Sequence, residues 1–257
     1  TIDLIDRYHP DLIYFDDTAL PLWPASDAGL KIAAHFYNRS NQWHGDDGVL
    51  FGKNLEPDQR RCMALDIERG RSNVIEPYPW QTDTCLGDWH YNRTIFDRDA
   101  YKTARTVVHT LIDVVSKNGN LLLNVPLRGD GTPDDDEIAM GEGIPGWMQI
   151  NQEAIHATRP WKVMGEGPQM AATEQTSGSN FNEANVKPFT AEDVRFTTKG
   201  RALYAIVMGA PNTVVAIKSL GKTAKFLDGS ISNVTLLGSD ERLTWVQTAD
   251  ALTIDPP

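Results

Sequence analysis

The run His9-Pro10-Asp11-Leu12-Ile13-Tyr14-Phe15-Asp16-Asp17 constrains the fold of this chain more than any other stretch. Pro10 sets an entry turn, Leu12 to Phe15 is apolar without a break, and two carboxylates stand where the run stops. A short, continuous run of this kind suits a parallel strand buried on both faces. Acids at the C-terminal end of such a strand stand where α/β folds concentrate their chemistry. The same pair also fits a plain cap on the following turn.

Further along, the same pattern recurs. Asp27 can cap a helix to about Asn38, with Leu30, Ala33, Ala34 and Tyr37 on one face. Residues 39–60 read as loop, rich in Asn, Asp and Gly. Met63-Ala64-Leu65-Asp66-Ile67-Glu68 reads as a second short strand, followed by an aromatic loop from Ile75 to Thr84 and by Gly87-Asp88-Trp89-His90-Tyr91. Asp97 or Asp99 opens a helix carrying Tyr101, Ala104, Val108, Leu111, Ile112 and Val115 at helical spacing, and Gly119 closes it. Asn120 to Val125 is a third buried strand, and a helix over roughly 135–157, interrupted near Pro145, precedes Arg159-Pro160-Trp161. Strands alternating with helices, polar residues gathered after each strand, predict a parallel sheet or barrel.

Near Gly165-Glu166-Gly167-Pro168 the texture changes. Residues 171–190 are a Thr/Ser/Asn-rich connector, and beyond it only strand-like runs follow: 194–197, 203–208, 213–217, 234–237, 243–246 and 251–254. Their spacing predicts an antiparallel β-sandwich. The expected organisation is therefore α/β over residues 1–166 and a β-sandwich over 167–257.

With 257 residues the chain can bury one large core or two ordinary ones. Its net charge of −11 leaves no basic stripe for nucleic acid, and no run approaches the roughly 18 apolar residues of a membrane span. The chain opens on Thr1, so a processed or truncated product is expected. Cys62 and Cys85 are too few for a disulfide framework; one bridge and two free thiols both remain open. Phosphate-loop, zinc-protease and serine-elbow motifs are absent, and Gly129-Asp130-Gly131 is a turn. What remains is carboxylates and aromatics after strands, the composition of a sugar site, where aromatic faces pack on pyranose rings and carboxylates act as acid, base or nucleophile.

Three ordered segments carry a resemblance to the retaining α-L-fucosidase family of glycoside hydrolases. Its Pro-Asp-x-x-aromatic-x-Asp nucleophile run is matched by Pro10 to Asp16. Its Asn-Leu-Leu-Leu-Asn-Val signature with a following Asp-Gly turn is matched by residues 120–125 and Asp130-Gly131. Its Trp-Glu-x-Thr…Ser-Trp-Gly-Tyr stretch is approximated by Trp80-Gln81-Thr82-Asp83-Thr84 and Trp89-His90-Tyr91. The resemblance implies the C-terminal half of a (β/α)8-type barrel followed by the family's β-domain, with the front of the barrel outside the given sequence.

By that resemblance Asp16 is the nucleophile. Gln81 occupies the position where many members carry the acid/base Glu, and an amide cannot deliver a proton. The expected acid is Glu76, whose Pro- and aromatic-rich loop would raise a carboxyl pKa; Glu68 is second, Asp83 or Asp17 after it. Arg69 would hold Asp16 ionised, contact a sugar hydroxyl, or pair with Glu68. Trp89 would wall the apolar edge of fucose or lie in the core, while Tyr14 and Trp80, with Trp23 and Tyr78 at the rim, are further substrate contacts. His35, His44 and His90 read as ordinary polar residues. The resemblance implies double displacement without metal or organic cofactor, catalytic carboxyls about 5–5.5 Å apart, and a fucosylated oligosaccharide or glycoconjugate as partner. It also implies a periplasmic, extracellular or lysosome-like setting, and a need for the front half of the barrel or for self-association. Alternatives are a non-catalytic glycan-binding fragment and a related retaining glycosidase acting on galactosides.

Overall fold

A computed structural model describes residues 1–16, 20–45, 47–173 and 181–257. Asp17 therefore lies outside the described residues, as do the side chain of His44 and part of the predicted connector. Helix α1 (Ile2–Tyr8) precedes β1 (Leu12–Phe15), followed by α2 (Ala28–His44), β2 (Val49–Lys53), β3 (Ala64–Asp66) and β4 (Trp80–Cys85). Next come α3 (Arg93–Asp97), α4 (Ala104–Val115), β5 (Gly119–Asn124) and α5 (Asp135–Asn151). The five strands form one all-parallel sheet in sequence order, β1-β2-β3-β4-β5. This is the parallel arrangement expected from the alternation of strands and helices, and the half-barrel that the resemblance implies.

Two of its strands are not where the sequence places strands. β2 lies inside the segment 39–60 read as loop, and β4 inside the aromatic loop 75–84. In β2, only Val49, Leu50 and Phe51 are apolar before Gly52 and Lys53, yet Leu50 is fully buried and the strand is paired on both sides. β4 alternates Gln81 and Asp83 with Thr82 and Thr84, so it lacks the apolar run of a buried strand although all six of its residues are buried. Tertiary pairing overrides the local signal.

Helix boundaries shift for similar reasons. Thr103 caps α4, its hydroxyl accepting from the Thr106 N–H at 3.2 Å. Asn118, at φ 72°, makes the left-handed turn out of the helix. Gly119, expected as the helix terminator, is instead the first residue of β5. There a Cβ would come within 2.6 Å of both the Trp80 ring and Val114. α5 starts on a reciprocal capping box between Asp134 and Glu137 and runs through Pro145. The carbonyl that Pro145 leaves unpaired belongs to Gly141, which is exposed to water.

The remaining strands are antiparallel. β6 (Arg159–Glu166) pairs with β7 (Val194–Lys199) and β7 with β8 (Ala202–Val207), while β9 (Val215–Ile217), β10 (Trp245–Gln247) and β11 (Leu252–Ile254) form a second sheet. The short α6 (Pro168–Thr173) follows β6. Both sheets share one core of Val194, Phe196, Ile217 and Leu252, with Trp161 packed against it. Because β6 belongs to this sheet, the β-region begins near 159, one strand before the expected boundary at 166/167. The run 234–237 forms no strand, although Val234 still packs on the same core.

Candidate active site

Side chains alternate along a strand, so Tyr14 and Asp16, Asp66 and Glu68, and Gln81 and Asp83 each project to one face as i, i+2 pairs. The register sets them level. Phe15 lies opposite Gly52, so Asp16 leaves β1 beside Lys53, and Lys53 in turn lies opposite Asp66, and Asp66 opposite Gln81. The result is a polar cluster at the C-terminal ends of β1 to β4, centred on Lys53.

Lys53 is buried, and its Nζ lies 2.7 Å from Asp16 Oδ1, 2.7 Å from Glu68 Oε2 and 3.6 Å from Asp83 Oδ2. The Tyr14 ring centre is 5.7 Å away. Burial works against the ammonium, but hydrogen bonds to Asp16 and Glu68 outweigh it and hold Lys53 charged above the usual lysine range. Two carboxylate oxygens at 2.7 Å from one nitrogen are no farther apart than twice that distance. Asp16 is open to solvent, its side chain 69 % exposed, whereas Glu68 is 20 % exposed. The connector also fixes the backbone behind Glu68: the Phe181 N–H donates to Glu68 O at 2.7 Å and the Glu183 N–H to Arg69 O at 3.0 Å.

Asp66 is fully buried beneath this layer and accepts a hydrogen bond from Gln81 Nε2. Tyr14 OH donates to Asp83 Oδ2 at 3.3 Å. Oδ1 of Asp66 and Oδ1 of Asp83 are both buried without a donor. Burial first, and then the hydrogen bond it shares with Asp83, push Asp66 up to about 8. One proton on Asp66 thus joins the two carboxyls and satisfies oxygens that would otherwise repel.

Several sequence-derived assignments do not meet in this cluster. Glu76, the expected acid, is at the opposite edge of the sheet. Its N–H donates to Lys117 O at 3.1 Å and its carbonyl accepts from Asn118 Nδ2 at 3.0 Å, just ahead of β5. Its carboxylate is spent on Arg60 and on the Ser72 hydroxyl, 2.6 Å away. The structure therefore places Glu76 away from Asp16, and sets Glu68, the second choice, beside Asp16 on the shared Lys53. Trp80 is corrected too: it faces outward from β4, wholly buried against Ile67 and Val114, its Nε1 donating to Lys117 O. Arg69 turns away at φ 43° and pairs with Glu183 at 2.6 Å, rather than with Asp16 or Glu68. Tyr14 lies in the cluster, its hydroxyl on Asp83 and its ring beside Lys53. Trp89 is half-buried at the same end of the sheet, its carbonyl held by Asn124 Nδ2 at 3.1 Å, with Trp23 exposed and Tyr78 in the Glu76 loop. His35 pairs with Asp6 at 2.9 Å and His90 is exposed. Cys62 and Cys85 are free thiols.

Sequence reasoning missed Lys53 and Asp66. Lys53 sits on the unrecognised β2; the Val-Leu-Phe triplet before it was the available signal. Asp66 and Glu68 alternate with apolar Leu65 and Ile67, a period-2 pattern that marks both acids as facing one side. Among the described residues no group of three or more His, Cys, Asp and Glu side chains could hold a metal ion.

The family model described as α-L-fucosidase matches residues 1–153, and that of the α-L-fucosidase C-terminal domain matches 187–257. Tissue α-L-fucosidase of Rattus norvegicus is 27 % identical over 95 % of this chain and 47 % of its own length. That of Bos taurus is 28 % identical over 95 % and 46 %. The chain spans about half the length of these curated relatives. Thermotoga maritima α-fucosidase, solved in complex with fucose, superposes over the whole chain and 50 % of its own at a TM-score of 0.69 and 24 % identity. α-L-Fucosidase isoenzyme 1 from Paenibacillus thiaminolyticus does so over 99 % and 56 % at 0.66 and 20 %. Likeness at that identity establishes the fold, and the match of the family model over residues 1–153, more than half of the chain, establishes kinship: the chain belongs to the α-L-fucosidase family.

Proposed function

We propose that this chain carries the nucleophile and the acid/base of a retaining exo-α-L-fucosidase, with Asp16 as nucleophile and Glu68 as acid/base. The observation that supports it best is the shared contact of Asp16 and Glu68 with Lys53, which keeps their oxygens within the roughly 5–5.5 Å separation that double displacement requires. Asp16, open to solvent, attacks the anomeric carbon, and the anomeric C–O bond breaks as Glu68 protonates the departing oxygen. Glu68, now a carboxylate, then takes a proton from the water that cleaves the glycosyl-enzyme ester and frees Asp16. Lys53 holds the two carboxyls at this spacing. Tyr14 and Asp83 form the floor.

The ligand would be a terminal α-L-fucosyl residue of an oligosaccharide, with Trp89 available at the same end of the sheet as an apolar wall. Solved relatives hold fucose and an α-L-Fuc-(1-2)-β-L-Fuc azide. The outer strands of the sheet, β1 and β5, leave Leu12 and Leu122 about half exposed, at 47 % and 51 %. These edges would pair with the further segment that the longer relatives possess, or with a second copy.

Release of nitrophenol from an aryl α-L-fucoside tests the assignment. Turnover should vanish in Asp16→Gly and return with added azide, which replaces the missing nucleophile. An Asp16→Gly variant as active as wild type would overturn it, and preference for an aryl α-galactoside would move the specificity.

A further inference from the structure

We propose that the cavity between the outer face of β4, the start of α4 and the connector 183–189 binds a phosphate- or sulfate-type oxyanion. The site is separate from the carboxylate cluster because β4 divides them. Gln81 and Asp83 face Asp66 and Lys53, whereas Thr82 and Thr84 face outward. The cavity has a volume of about 410 Å³, and Arg71, Arg105, His109, Asp113, Lys187 and Phe189 form the end that matters here.

Charge is out of balance at this end. Asp113 on α4 is a single carboxylate facing Lys117 at 2.6 Å, Arg195 of β7 at 2.8 Å and Arg71 at 3.6 Å. Lys117 and Arg195 are fully buried and Arg71 nearly so. Three cations around one anion leave an excess of positive charge in the interior, where uncompensated charge is costly. Arg195 Nη2 is buried with no acceptor, its guanidinium lying 4.8 Å over the Phe189 ring that lines the cavity. The other acid of the lining, Glu183, is already matched by Arg69 at 2.6 Å and Lys102 at 3.1 Å. Among the described residues, no carboxylate pairs with Arg105 or Lys187, which stand exposed at the mouth. Burial lowers Lys117 to about 8, which leaves it mostly charged at neutral pH, so deprotonation does not remove the excess. Burial and then the charge of Arg105 lower His109, so its ring adds no cation but can donate a hydrogen bond.

A tetrahedral oxyanion fits this lining because guanidinium groups bind its oxygens in pairs through charge-assisted hydrogen bonds. Arg71 and Arg105 present two such groups, and Lys187 adds a point charge. The cavity is larger than one ion, so either a free ion with water or the phosphate ester of a sugar can occupy it.

The test is isothermal titration calorimetry of the full 257-residue chain with inorganic phosphate at pH 7 and constant ionic strength, with a sugar phosphate titrated in parallel. Saturable one-site binding is expected, weakened about tenfold or more in the double variant Arg105→Gln, Lys187→Gln. These two residues are exposed, so the variant should keep the fold, which circular dichroism checks. Tighter binding of the ester assigns the rest of the cavity to a sugar; equal binding assigns a free ion. A crystal soaked in selenate should show anomalous density beside Arg71. No saturable heat, binding unchanged in the double variant, or selenate density only elsewhere would overturn the proposal.

Discussion

Replacing Asp66 by Asn converts a buried acid into a neutral amide of the same shape, and its effect should depend on pH. In the unfolded chain Asp66 titrates near its ordinary 3.8; in the folded protein burial and the Asp83 hydrogen bond push it up to about 8. Between those values the folded state holds a proton that the unfolded state has lost. Folding stability from this group is therefore complete below about pH 4 and is lost as pH rises toward 8. A tenfold difference in proton affinity between the two states corresponds to about 1.4 kcal/mol, so the full window would be worth about 6 kcal/mol. Sharing of the proton with Asp83 and local relaxation make that figure an upper bound. Asn keeps an oxygen to accept from Gln81 and gains an N–H to donate to Asp83, as the protonated acid does. Urea unfolding followed by tryptophan fluorescence at pH 5, 6, 7 and 8 measures the difference. Asp66→Asn should lie closest to wild type at pH 5 and exceed it progressively more toward pH 8, the gap widening by up to about 4 kcal/mol. A gap that stays constant across this range, or that closes as pH rises, would refute the shared-proton assignment.

Other consequences follow from the same geometry. Glu68→Gln should lower the kcat for an aryl fucoside by about 10²- to 10⁴-fold, the contribution of a positioned acid. Glu76→Gln should leave kcat intact and cost about 1–2 kcal/mol of stability, since it weakens a contact with Arg60 and Ser72 at the far edge of the sheet; the reverse pattern would restore Glu76 as the acid. Lys53→Met should reduce kcat while Lys53→Arg retains part of it, because the Met variant loses the cation that spaces Asp16 and Glu68; equal activity in both would remove Lys53 from the site. Asp113→Ala should destabilise the protein by about 3–5 kcal/mol in urea, as it strands buried Lys117 and Arg195. A cost below about 1 kcal/mol would mean that the cations find another partner.

Local sequence was enough for the elements whose signal is local. Leu12–Phe15 and the leucine run in β5 are apolar enough to be read as strands, although as the outer strands of the sheet they stay partly exposed rather than buried on both faces, and Ala104, Val108, Leu111, Ile112 and Val115 repeat at helical spacing in α4. The carboxylate after Phe15, in its family motif, singled out Asp16. The run of strand-like segments after residue 190 was sufficient for an antiparallel β-region. β2 and β4 were illegible because their pairing partners are distant in sequence: polar Gln81, Thr82, Asp83 and Thr84 become strand only between β3 and β5.

The choice between Glu68 and Glu76 belonged to the tertiary structure alone. Both follow β3 in sequence, eight positions apart, and nothing in their neighbours says which edge of the sheet each will occupy. Register decides it. Glu68 leaves the C-terminal end of β3 beside Lys53, whereas Glu76 has already crossed back to the N-terminal edge, where Lys117 and Asn118 lead into β5. Trp80 was misread for the same reason: an aromatic in a sugar motif suggests a substrate contact, but alternation along β4 turns it toward α4 and the core. Residue types and short-range periodicity therefore determined the class of fold, and the resemblance of Pro10 to Asp16 to a family motif pointed to Asp16 as the proposed nucleophile. The proposed acid Glu68, the Lys53 beside it and the buried Asp66 beneath them came from strands whose relative height only long-range pairing sets.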